Sequence, residues 1–214
     1  MQYSIPDLVQ ANLLLVNSIQ SGMTAPKILV FAGSTREGSL NRKLARVAAE
    51  TLQKLNAEFT HLDLRDYPMP IYDGDLELSH GLPERARALK EVLRKHDALV
   101  IASPEYNGSF SALLKNAIDW ASRPEVPGEK PAEVFRGKTA LILSASPGPG
   151  AGRRGLRHLR ELLQMIGVNV VEEELGVPKA FDGFTAEGGL IRPDEASRLQ
   201  NLLSRLAGGV PAAA

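Results

Sequence analysis

Lys27-Ile28-Leu29-Val30-Phe31-Ala32-Gly33-Ser34-Thr35-Arg36-Glu37-Gly38-Ser39-Leu40-Asn41 is the stretch on which the reading of this chain turns. Residues 27–32 form a short apolar run of β type. A turn with two glycines, three hydroxyls and one arginine follows, and then Leu40, Leu44, Val47, Ala48, Leu52 and Leu55 recur at helical spacing over 39–55. A strand, a polar turn and a helix in that order open a βα unit. The hydroxyls of Ser34 and Ser39, the free amides from Ser39 to Asn41 and the forked guanidinium of Arg36 would all donate to anionic oxygens. The plainer alternative is an N-cap by Ser39 with an incidental arginine. Two familiar phosphate loops do not fit: no Lys precedes the Ser, as a Walker loop requires, and Gly33 and Gly38 lack the Gly-x-Gly-x-x-Gly spacing.

The same alternation continues along the chain. Strands are expected over 58–64, 98–102, 138–144 and 169–175, and helices over 83–96, 111–121, 155–166 and 193–206. The Pro-rich stretch 67–74 is too rigid and too poor in amide donors for a regular element and reads as a loop. Five strands and five helices joined by right-handed crossovers give an α/β fold of three layers, with a five-stranded parallel sheet in the order 2-1-3-4-5. One domain spans 26–207. An extension over 1–25, with Met23 as a second possible initiator, precedes it, and a loose tail over 208–214 follows.

Composition narrows the chemistry. Among 214 residues Lys plus Arg and Asp plus Glu both total 25, so no global field draws the chain to nucleic acid or membrane. The absence of cysteine removes disulfides, thiolate metal sites and cysteine nucleophiles. His61, His80, His96 and His158 are scattered, which leaves a protein metal centre with little support. No run reaches the roughly 20 apolar residues of a membrane span, and the N-terminus lacks the basic flank of a secretory signal. The expected location is the cytoplasm.

In an open parallel sheet, ligands bind beyond the carboxyl ends of the strands where the winding reverses. For the order 2-1-3-4-5 that point lies between strands one and three, so the loops after strands one, three and four should carry the unusual residues. The second of these is Ser103-Pro104-Glu105-Tyr106-Asn107-Gly108-Ser109, able to present amides and carbonyls to a planar heterocycle while Tyr106 lines one face. By itself it would be a plain strand-to-helix turn. The third, Ser144 to Arg154, has glycines that permit close backbone approach. Its Arg153 and Arg154 would meet a second phosphate or, more plainly, lie solvated at the surface.

These residues resemble the NADPH-dependent FMN reductases, a flavodoxin-like family that includes quinone, azo-dye and chromate reductases. Gly33-Ser34-x-Arg36-x-x-Ser39-x-Asn41 is similar to its phosphate loop. Pro104-Glu105-Tyr106-Asn107-Gly108-Ser109 followed by Leu114-Lys115-Asn116-Ala117-Ile118-Asp119-Trp120 is similar to its flavin loop and next helix. The resemblance runs from about Lys27 to the last helix. It implies that Ser34, Arg36, Ser39, Leu40 and Asn41 hold the FMN phosphate, that Pro104, Glu105, Tyr106, Asn107 and Gly108 lie at the isoalloxazine, and that Ser146 approaches the ring. It also implies homodimers or homotetramers with sites near the subunit boundary. Ser111 departs from a proline common after the flavin loop, and 147–152 is unusually rich in Pro and Gly. For the helix bearing Trp120, simple packing with Leu114, Ile118 and Ala121 inward is the competing reading.

The implied activity is a ping-pong cycle in which NADPH or NADH reduces bound FMN and a quinone, azo compound, free flavin or metal oxyanion such as chromate is then reduced. It needs no acid–base side chain for its first half, so no catalytic residue is assigned. Two readings of other classes stay open: a flavodoxin-type electron carrier or flavin-binding module, and a scaffold that has lost the flavin. The balanced charge argues against the carrier, which would favour a one-signed docking surface.

Overall fold

The computed structural model describes residues 25–209, so nearly all of the expected N-terminal extension and the end of the expected tail lie outside the described residues. Strands β1 (Ile28–Ala32), β2 (Phe59–Leu62), β3 (Ala98–Ala102), β4 (Thr139–Ala145) and β5 (Asn169–Val170) pair in parallel in the order β2-β1-β3-β4-β5. This is the expected winding. A sixth strand, β6 (Leu175–Val177), continues beside β4 from Leu143↔Leu175 to Ala145↔Val177. The single strand expected over 169–175 is thus two short pieces. Between them Glu172, Glu173 and Glu174 leave the sheet, where Arg160 bonds Glu174 at 3.1 Å and Arg205 bonds Glu173 at 2.7 Å. Three adjacent carboxylates cannot be buried in a ladder without partners, so the chain bulges to water.

Successive strand residues point to opposite faces. Ile28, Val30 and Ala32 of β1 join one core with Val100 and Leu143, whereas Leu29 and Phe31 join the other with Ile101 and Ile142. Helix α1 (Leu40–Lys54) covers the first face together with the C-terminal helix Pro193–Ala207. The second face is covered by the helices Glu84–Arg94, Ala112–Ala121 and Arg153–Met165. Full burial of each large aliphatic side chain contributes ~1.5–3 kcal/mol, which is why both faces of the central strands read as continuous apolar runs.

One helix has no apolar signature. Helix α2 (Gly74–His80) begins where the Pro-rich loop was expected to end, and none of its residues is buried. Asp73 caps it, accepting from the Asp75 N–H at 2.8 Å. Half-buried Leu76 packs on the cluster of Leu82, Ala86 and Trp120, and polar contacts add to this: Tyr72 donates to Glu77 at 2.8 Å, and Arg123 bonds the same carboxylate at 2.8 Å. The remaining helices are α3 (Glu84–Arg94), α4 (Ala112–Ala121), α5 (Arg153–Met165) and α6 (Pro193–Ala207).

Candidate functional site

The loops after β1, β3 and β4 meet at the carboxyl end of the sheet. Gly33 N–H donates to Ala102 O at 2.9 Å, and Ser103 N–H donates to Leu143 O at 2.8 Å, so the first two loops leave adjacent strand ends together. Gly33 also lies against α4: a Cβ added there would sit 3.1 Å from Leu114 Cβ and 3.2 Å from Ser111 Oγ. Ser111, which departs from the proline common at this point in the resembled family, caps α4 by accepting from Leu114 N–H at 3.2 Å and donates to Gly33 O at 2.6 Å. A proline would supply neither bond.

In the first loop Ser34 and Ser39 are buried, while Thr35 through Gly38 are exposed. Ser39 is the N-cap of α1, with its Oγ accepting from Arg42 N–H at 3.4 Å, and Ser34 Oγ accepts from Arg36 N–H at 3.4 Å. Leu40 and Asn41 follow as the first two helical residues, whose N–H groups have no partner within the helix. Arg36 is exposed and forms no ion pair among the described residues. Hydroxyls, free amides and an uncommitted cation therefore surround one helix N-terminus, which suits a phosphate. The Asn41 side chain is engaged within the protein. Its Nδ2 donates to Ala145 O and its Oδ1 accepts from Ala145 N–H, both at 2.9 Å, tying α1 to the end of β4. Its backbone amide, in the first turn of α1, has no partner within the helix.

The second loop is a tight hairpin. Glu105–Tyr106 pairs antiparallel with Ser109–Phe110, and both central residues, Asn107 (φ 52°) and Gly108 (φ 80°), are left-handed. That is a type I′ turn, which favours Asn-Gly, and the dipeptide was a legible signal for it. Pro104 is buried, Tyr106 is 53% exposed and Asn107 stands at the tip. The Glu105 carboxylate turns back into the protein, where Oε2 accepts from Arg154 and Gly155 N–H at 3.1 Å each. Helix α5 begins after Gly152 with no side-chain cap of its own, so Glu105 caps it from another element. Its side chain thereby ties the hairpin to α5.

The third loop packs tightly on its neighbours. Gly152 (φ 73°) is forced by both conformation and space, since a Cβ there would lie 2.0 Å from Ser144 Oγ. Ser146 is half-buried and stitched to β6, with its N–H donating to Val177 O at 3.0 Å and its Oγ accepting from Gly148 N–H at 3.3 Å. Arg153 and Arg154 are exposed.

The motif in α4 serves packing. Leu114, Ile118, Trp120 and Ala121 are buried, and Trp120 Nε1–H and Asn116 Nδ2–H both donate to Pro70 O at 2.8 Å. Asn116 Oδ1 in turn accepts from Tyr72 N–H at 2.8 Å, and the Tyr72 ring meets Trp120 edge to face at 5.0 Å. These bonds dock the Pro-rich segment onto α4.

Residues 26–182 match the family described as NADPH-dependent FMN reductase. A probable NADPH:quinone oxidoreductase 2 of Oryza sativa subsp. japonica is 34% identical over 196 residues, covering 86% of this chain and 90% of that protein. An NAD(P)H-dependent FMN reductase of Pseudomonas aeruginosa is 35% identical, covering 84% and 92%. Among solved structures, a flavoenzyme NAD(P)H:(acceptor) oxidoreductase from Paracoccus denitrificans superposes with a TM-score of 0.72 at 27% identity, covering 85% of this chain and 95% of that one.

Proposed function

Because the chain belongs to the NADPH-dependent FMN reductase family and is an FMN-dependent NAD(P)H oxidoreductase, we propose that its three meeting loops are the flavin site and that quinones are its acceptors. The observation that carries the site is the α1 N-terminus: two buried serines, the free amides of Leu40 and Asn41 and an exposed Arg36 converge there. In this reading Ser34, Arg36, Ser39, Leu40 and Asn41 hold the FMN phosphate, with Asn41 acting through its backbone.

Pro104, Glu105, Tyr106, Asn107 and Gly108 present hairpin backbone to the isoalloxazine edge, and Ser146 approaches it from the third loop. Bound there, FMN would supply the hydride and two-electron chemistry that links NAD(P)H to the acceptor. The protein's part is to orient the ring and leave one face open to two substrates in turn. Azo compounds, free flavin and chromate fit the same open face. Exposed Ile71 and Leu78, each more than four-fifths accessible, support a homodimer or homotetramer, and a cytoplasmic location completes the reading. Among the described residues no helix is long and apolar enough to cross a membrane.

The test is spectroscopic. The purified full chain should be yellow, or become so on adding FMN. Anaerobic NADPH or NADH should bleach it rapidly, and benzoquinone should restore the colour. No bound chromophore after FMN addition would sink the flavin site, and slow bleaching by both nucleotides would favour an electron carrier.

A further inference from the structure

On the β2 side of β1, beside the first loop, lies a cleft of ≈ 190 Å³. Its floor is the apolar ends of β1 and β2, and its polar wall consists of Ser34, Arg42, Arg46, His61 and Asp63. The volume is below the ~300–1,000 Å³ of sites for drug-sized ligands and suits a small group. Arg42 and Arg46 are one turn apart on α1 and so share a face. Arg46 stands seven residues beyond the cap Ser39, about 10 Å along the axis at 1.5 Å per residue, and is thus separate from the helix N-terminus.

The charges in the wall do not balance. Asp63 is the one acid among the lining residues, and it bonds Arg42 Nη2 at 2.7 Å and Arg65 at 2.8 Å. Arg46 makes no ion pair among the described residues. The charged groups that face His61 are Arg42 and Arg46 from α1 and Asp63 from beyond its own strand, with neutral Ser34 on the loop after β1. Burial, and after it Arg46, lowers the imidazole pKa below its ordinary value, with Asp63 opposing and Arg42 adding to the fall. An entering anion would reverse this balance, because an opposite charge favours the imidazolium.

We propose that this cleft is a phosphate subsite, taking a phosphate dianion between the Arg46 guanidinium and the His61 ring. Two donors of positive charge match a dianion better than a carboxylate. The phosphate comes either from the nicotinamide nucleotide, whose 2′-phosphate distinguishes NADPH from NADH, or from free inorganic phosphate. Only the nucleotide source rests on the oxidoreductase reading; anion binding does not.

The four histidines make a ring-labelled NMR titration of the full-length, FMN-loaded protein practicable. At constant ionic strength, inorganic phosphate should raise the His61 pKa saturably by about one unit, and Arg46→Ala should abolish the saturable rise at unchanged FMN content. An equal rise in Arg46→Ala, or the same response to chloride, would overturn the proposal. Adenosine 2′-phosphate acting below the phosphate concentration, together with a fall of about tenfold in the NADPH to NADH ratio of kcat/KM in Arg46→Ala, would identify the nucleotide. A response to phosphate alone with an unchanged ratio would identify free phosphate. Loss of FMN binding would sink the flavin reading yet leave the His61 response intact, so the two failures are distinguishable.

Discussion

Replacing Glu105 by alanine separates a carboxylate that serves the helix behind it from one that serves a ligand in front of it. Oε2 accepts from Arg154 and Gly155 N–H at 3.1 Å, at the start of a helix whose cap residue is Gly152. Those amides have no intrahelical partner, so the carboxylate both satisfies donors and opposes the positive end of the helix dipole. A hydrogen bond to a charged group contributes ~1.5–3 kcal/mol net, and loss of an N-cap typically costs ~1 kcal/mol. Both bonds here are longer than the roughly 2.7–2.9 Å of strong charge-assisted pairs, and Glu105 is only half-buried, so water can replace part of the loss. The expected destabilisation is therefore about 1.5 kcal/mol for Glu105→Ala and about 0.5–1 kcal/mol for Glu105→Gln, which keeps an acceptor without its charge. For a domain of this size the alanine variant should melt about 3–6 °C lower. Thermal and urea denaturation of the FMN-free protein would measure this, followed by FMN titration. Unchanged stability without FMN, coupled with weakened FMN binding, would refute the reasoning and return the carboxylate to the ligand.

Arg36→Ala should weaken FMN binding by ~1.5–3 kcal/mol through loss of a charged hydrogen bond, with the FMN-free melting temperature unmoved because Arg36 forms no ion pair among the described residues; fluorescence titration reads the first and calorimetry the second. Asn41→Ala strips partners from both the N–H and the O of Ala145, so a loss of about 2–4 kcal/mol in denaturant stability is expected, and a loss below 1 kcal/mol would show that the clamp does not form. For Glu129, burial would raise the carboxyl, but bonds from Lys90 at 2.9 Å, Glu125 N–H at 2.7 Å and Arg94 at 2.8 Å outweigh it and bring the pKa from 4.5 to about 2. A depressed folded-state value means this stabilisation is fully present above pH 4.5 and is lost as the pH falls toward 2, a change of about 3 kcal/mol. Glu129→Gln should flatten the stability profile across that window, and an unaltered slope would contradict the assignment.

Much of the fold was legible because its signals are local. The apolar run at 98–102 and the alternation of β-type and helical patterns predict the strands, the helices and the winding order. The 169–175 strand was misread as continuous, since its apolar ends mask the cost of burying Glu172 to Glu174. Helix α2 was missed because it has no buried face and depends on Glu77 meeting Tyr72 and Arg123. In the candidate site, the residue types and the loops were legible from their position after strands one, three and four. The Asn107-Gly108 hairpin was available as a signal and was read only as a generic turn.

The sequence alone determined which segments lie in the core, where the hydrogen-bond-donating loop sits, and which family the chain resembles, because periodicity, capping and motif spacing are properties of neighbouring residues. Tertiary structure decided what individual polar side chains do. Asn41 reaches Ala145 across 104 residues, Ser111 reaches Gly33 across 78, and Glu105 reaches Arg154 across 49. Such pairs exist only once β1, β3 and β4 stand side by side. A buried amide or hydroxyl must then bond to whatever backbone group that packing brings within reach, and no local pattern encodes which one it will be.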